Sequence, residues 1–85
     1  MVKEVITLVA KEGFHARPAS QFVKMASGYQ SDVTLSYQEN TVNGKSIMGI
    51  LTLGAACGSE VTLTVEGEDE GEALSALSAF VKVME

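Results

Sequence analysis

The chain has 85 residues, 46% of them hydrophobic, with a formal net charge of −5 and a single histidine, proline and cysteine. A chain this short buries roughly 60–65% of its unfolded surface, enough for one modest core in one domain (residues 1–85) and too little for a deep enclosed cleft as well. The acidic balance argues against nucleic acid, no apolar run approaches the ~20 residues of a membrane span, and one cysteine and one histidine leave neither an internal disulfide nor a metal-ligating cluster.

The opening MVKEVITLVA alternates, with Ile6 and Leu8 on one face and Val5, Thr7 and Val9 on the other, and predicts a strand over Val2 to Val9. It lacks the charged start and small-residue cleavage site of a signal peptide, so a soluble cytoplasmic protein is expected. From Ala16 the period lengthens. Ala19, Phe22, Val23 and Ala26 form a helical apolar stripe that stops at Gly28, while Arg17, Ser20, Lys24 and Ser27 share another face. Asp32 to Tyr37 alternates again, and Gln38-Glu39-Asn40 turns the chain into a short strand around Thr41 to Asn43.

Ser46 stands where a helix N-cap belongs, ahead of Ile47-Met48-Gly49-Ile50-Leu51-Thr52-Leu53 and a stop at Gly54. Cys57, after Ala55 and Ala56, reads as a small half-buried residue. Val61, Leu63 and Val65 alternate with Thr62 and Thr64 in a fourth strand. After a polar, acidic turn, Ala73, Leu74, Leu77, Phe80, Val81 and Met84 give a last helix one apolar face. The order β-α-β-β-α-β-α predicts an α+β fold, a four-stranded antiparallel sheet covered on one face by three helices.

The chain's only histidine, arginine and proline lie within Gly13-Phe14-His15-Ala16-Arg17-Pro18-Ala19-Ser20. Proline marks the first turn of a helix, which puts Ala16 or Arg17 at the cap and His15 just ahead of it, after a glycine able to bend sharply. A helix N-terminus binds anions through its unpaired N–H groups and positive dipole end. Neutral imidazole is a nucleophile. A phosphoryl group on His15 would meet the backbone N–H groups of Ala16 and Arg17 and the Arg17 guanidinium. A hydrolytic triad or a zinc site cannot be assembled around one histidine. A surface histidine in a glycine turn, without a role, is as compatible with these residues alone.

Charge is also distributed unevenly. Residues 13–31 and 40–59 contain no acid, whereas residues 60–85 hold seven acids against Lys82. A seven-residue helix at 47–53 buries one side, Ile50 and Leu53 with part of Ile47, and leaves Met48 and Leu51 at least partly exposed. Arg17, Lys24 and Lys45 would rim that patch and favour acidic partners. An overfilled core helix is the competing reading. Ser46 is most simply a cap; phosphorylated, it would add about two negative charges to this rim.

Two motifs carry a resemblance. Gly13-Phe14-His15-Ala16-Arg17-Pro18-Ala19 resembles the active-site signature of the HPr family, the histidine-containing phosphocarriers of the bacterial phosphotransferase system. Asn43-Gly44-Lys45-Ser46-Ile47-Met48-Gly49-Ile50-Leu51-Thr52-Leu53-Gly54 resembles the family's regulatory-serine signature, and spacing, element order and length match as well. The resemblance implies an open-faced β-sandwich without cofactor or metal, acting as a monomeric carrier rather than an enzyme. By it His15 is the phosphoacceptor, through Nδ1, and Arg17 assists the phosphoryl group. Enzyme I would charge the carrier, and the A domains of sugar-specific enzymes II would discharge it.

By the same resemblance Ser46 matches the site of the HPr kinase/phosphorylase, with a transcriptional regulator as a further partner. Ser20, Lys24, Ile47, Met48 and Leu51 match the partner-docking face. A nitrogen-branch paralogue using the same histidine is the first alternative; a purely regulatory relative acting through phosphoserine is a second, against which His15 argues. Phe14 departs from the family's usual smaller aliphatic residue, and Cys57 is no family hallmark.

Overall fold

Seven elements follow one another as β1 (Val2–Thr7), α1 (Ala16–Ala26), β2 (Asp32–Tyr37), β3 (Asn40–Asn43), α2 (Ile47–Leu53), β4 (Glu60–Glu66) and α3 (Glu70–Val83). This is a computed structural model, and it describes residues 1–84. The strands form one antiparallel sheet in the order β1-β4-β2-β3. On its covered face α3 packs on β1 and β4, α2 on β2 and β3, and α1 against both other helices. The expected open-faced α+β sandwich is therefore the observed one.

The two periodicities explain the layers. In β4, at the centre of the sheet, Val61, Leu63 and Val65 are fully buried, and Thr62 and Thr64 alternate with them. In α1 the stripe of Ala19, Phe22 and Ala26 is fully buried, and Phe22 stacks edge-on to Phe14 at 5.6 Å and tilted against Phe80 at 6.4 Å. Ala73, Leu77 and Val81 close the core from α3, and Met84 is buried just past its end.

Boundaries shift where tertiary bonds take over. β1 ends at Thr7 rather than Val9, because beyond it Leu8 pairs with a loop: its N–H donates to the Ser59 carbonyl at 2.9 Å, and its carbonyl accepts from Gly58 at 2.8 Å. β3 starts at Asn40, since the left-handed Gln38 (φ 56°) completes the turn early. Cys57 is exposed, not half-buried. It occupies the tip of a β-turn closed by Ser59 N–H donating to the Ala56 carbonyl, with Gly58 at φ 88° beside it.

The N-terminus of α3 is tied to the α1–β2 connection. Asp69 accepts from the Gln30 and Ser31 backbone N–H groups, each at 2.9 Å, and from the Ser31 hydroxyl. The Ser31 hydroxyl, then the Gln30 N–H, hold the Asp69 carboxyl below its ordinary value. A depressed folded pKa contributes stability above the ordinary value, and that contribution is lost as pH falls through the folded one. Asp69→Ala is therefore expected to be less stable than wild type at pH 7, with the gap closing as pH drops below about 4. Urea midpoints at several pH values check this; a gap that stays constant would remove the ionised carboxylate from the account.

Candidate functional site

The site begins with a turn. Gly13 N–H donates to the Ala10 carbonyl at 2.9 Å, closing a four-residue turn with Lys11 and Glu12 at its centre. Gly13 has φ +65°, and a Cβ there would meet the Ala55 carbonyl oxygen and lie 2.6 Å from Ala56 Cα. Only glycine fits both conditions. The next residue locks the turn to the loop after α2, as Phe14 N–H donates to the Ala55 carbonyl at 3.2 Å. Phe14 is buried against Phe22, so its unusual bulk is taken up by the core and not by the surface beside His15.

His15, and not Ala16 or Arg17, is the N-cap of α1. Its backbone is extended (φ −92°, ψ −173°), its carbonyl accepts from Ala19 N–H at 3.0 Å, and its side chain makes no capping bond. The displacement by one residue follows from Gly13: the bend completes there, and the chain enters the helix sooner than Pro18 alone suggested. Among the described residues no acceptor meets the N–H groups of Ala16 and Arg17, and proline has none to satisfy. A half-exposed imidazole thus stands beside two free amides and the exposed Arg17.

An open recess of about 500 Å³ lies here, lined by Val9, Ala10, Lys11, Glu12, His15 and Arg17. Sequence reading missed Lys11 and Glu12. The signal available was their position just ahead of a glycine that had to turn the chain. Both ion pairs among the described residues lie elsewhere, Met1 with Glu70 and Lys82 with Glu4, so the charges of the recess are uncompensated by direct contact.

The second constellation is attached to the first, because Ala55, bonded to Phe14, follows α2 by one glycine. Ser46 is the cap of α2: its Oγ accepts from Gly49 N–H at 3.1 Å, and its carbonyl accepts from Ile50 N–H at 3.1 Å. Ile50 and Leu53 are buried, whereas Met48 is 69% exposed, Ile47 40% and Leu51 36%. Ile47 contributes less to the core than its spacing suggested. The reading of an overfilled core helix is thereby excluded.

Arg17, Ser20 and Lys24 are exposed on α1, which packs directly on α2. Lys45 does not join them as a free cation on the rim. Its Nζ donates to the Tyr29 carbonyl at 2.9 Å, tying the start of α2 to the end of α1. No helix among the described residues is long and apolar enough to cross a membrane.

An open-faced sandwich that presents an uncommitted imidazole beside free helix amides at its surface fits a small surface-acting carrier. A family model described as "PTS HPr component phosphorylation site" matches residues 2–83. The chain belongs to the HPr family and is an HPr-type phosphocarrier, not an enzyme. It is 46% identical over 82 residues to the HPr-like protein Crh of Bacillus subtilis, covering 96% of each chain. It is 41% identical over 85 residues to the phosphocarrier protein HPr of Buchnera aphidicola, covering 100% of each. The crystal structure of HPr from Bacillus anthracis superposes with a TM-score of 0.90 at 44% identity, over 94% of this chain and 95% of that one.

Proposed function

We propose that this chain is a monomeric cytoplasmic phosphoryl carrier that accepts the group from enzyme I on His15 and passes it to the A domains of sugar-specific enzymes II. The observation that carries this reading is the cap geometry: among the described residues the His15 side chain makes no capping bond, and the adjoining N–H groups of Ala16 and Arg17 are unpaired. In the transfer the Nδ1 lone pair of His15 forms a bond to phosphorus as the bond from phosphorus to the donor atom of enzyme I breaks, and the departing atom keeps that bond's electron pair. No proton, electron or water is consumed. The incoming oxygens are met by the Ala16 and Arg17 N–H groups and the Arg17 guanidinium. Phosphorus NMR after incubation with phosphoenolpyruvate and catalytic enzyme I is expected to show one acid-labile phosphohistidine resonance. Its absence would sink the assignment.

The docking face comprises Ser20 and Lys24 on α1 with Ile47, Met48 and Leu51 on α2, an apolar centre with cationic neighbours suited to acidic partners. Ser46 is the regulatory site on its border, open to a serine kinase of the HPr kinase/phosphorylase type and, once phosphorylated, to a transcriptional regulator. A phosphate there keeps acceptor oxygens at the α2 N-terminus, so the fold tolerates it, while its charge repels an acidic donor. Ser46→Asp retains a capping oxygen and is expected to slow phosphorylation by enzyme I about tenfold at low salt, with the melting temperature nearly unchanged. An equal transfer rate in the two proteins would remove the electrostatic argument.

A further inference from the structure

We propose that Glu12 sets the transfer potential of the carrier: its carboxylate weakens the hold of the recess on a phosphoryl group at His15, so that the group is released readily. This rests on the phosphohistidine reading and adds a residue outside both motifs. Three observations support it. Among the described residues Glu12 is the only acid lining the recess shared by His15 and Arg17. It stands immediately before the acid-free stretch 13–31, in a chain with acids at 11 positions. And its backbone is held in place: the turn is closed by the 2.9 Å bond from Gly13 to Ala10, anchored by buried Ala10 on one side and by Gly13, pressed on Ala55, on the other.

The charge balance gives the sign. Lys11 and Arg17 contribute two positive charges to the lining and Glu12 one negative, so a phosphoryl dianion enters a site of net charge about +1. Without the carboxylate the site would match the dianion, and the phosphorylated form would be over-stabilised relative to the acceptors it must supply. Lys11, at the neighbouring position of the same turn, acts in the opposite direction. Neither side chain is needed for folding, because both are exposed and neither is in an ion pair among the described residues.

A competition experiment reads this directly. Equal amounts of 15N-labelled wild type and unlabelled Glu12→Gln are mixed with catalytic enzyme I and less than one equivalent of phosphoenolpyruvate. After equilibration, intact mass spectrometry reports how the phosphoryl group divides. The division is an equilibrium property, so altered docking to enzyme I does not move it. Glu12→Gln is expected to hold the group about three- to tenfold more than wild type at low salt, falling below about twofold in 1 M NaCl as the charge is screened. Lys11→Gln is expected to hold it less than wild type. An even division at low salt, or a bias that salt does not diminish, overturns the role of Glu12. Phosphate on neither protein overturns the carrier reading beneath it.

Discussion

His15→Ala is expected to abolish phosphorylation by enzyme I completely while leaving thermal stability within about 0.5 kcal/mol of wild type. The separation follows from what the side chain does in the fold. It makes no capping bond, and the structural duties of the residue, an extended backbone and a carbonyl accepting from Ala19, are backbone duties that alanine can also perform. His15→Asp sharpens the point. Aspartate is a preferred cap, and its carboxylate would bond the amides that His15 leaves free and complement the helix dipole, so the inactive variant is expected to be more stable than wild type by about 0.5–2 kcal/mol. Denaturant midpoints and phosphorus NMR on the same samples test both halves. Loss of stability in the aspartate variant would mean that the imidazole has a structural bond the cap geometry does not provide.

Gly13→Ala is expected to be the most damaging single-methyl change near the site, destabilising by about 2–4 kcal/mol out of a total of roughly 5–10 for a chain this size. Two costs add. The left-handed φ of +65° is strained for any residue with a Cβ, and the new methyl would collide with the Ala55 carbonyl and Ala56 Cα, which are backbone and cannot swing away. Gly54→Ala serves as the control. Its φ of +72° is similarly left-handed, but nothing lies within 4 Å of the added carbon, so only the conformational cost of about 1 kcal/mol remains. Urea unfolding of both variants checks this. Equal losses would mean that the loop after α2 yields, and that Gly13 does not rigidly join the histidine turn to it. The phosphorylation rate of Gly13→Ala should fall with the population holding His15 at the cap.

How much of this was legible depended on how far apart in the chain the cooperating groups lie. The alternation in Val61 to Val65 and the 3.6-residue stripe through Ala19, Phe22 and Ala26 report local faces, so strand, helix, layer and core emerged from neighbours a few positions apart. The GFHARPAS stretch was informative for the same reason: bend, nucleophile, cation and helix start are consecutive, as are the Ser46 cap and the exposed Met48.

Only the tertiary structure decided the rest. That His15 itself is the cap depends on Gly13 pressing against Ala55, a backbone contact between distant segments with no periodic trace. Asp69 is the N-cap of α3, yet its carboxylate makes no capping bond and accepts instead from Gln30 and Ser31, 39 and 38 positions away. Lys45, counted by sequence among the free cations, is bound to the Tyr29 carbonyl. Cys57, half-buried by the reading of its small neighbours, lies exposed at a turn tip. Lys11 and Glu12 carried no motif, and the fold alone places them around the histidine. Local pattern therefore determined which elements form and which residue types hold the chemistry. The choice of hydrogen-bond and charge partners was left to the packing of α2 and its following loop against the start of α1, because polar groups are satisfied by whatever the fold brings near, not by what precedes them in the chain.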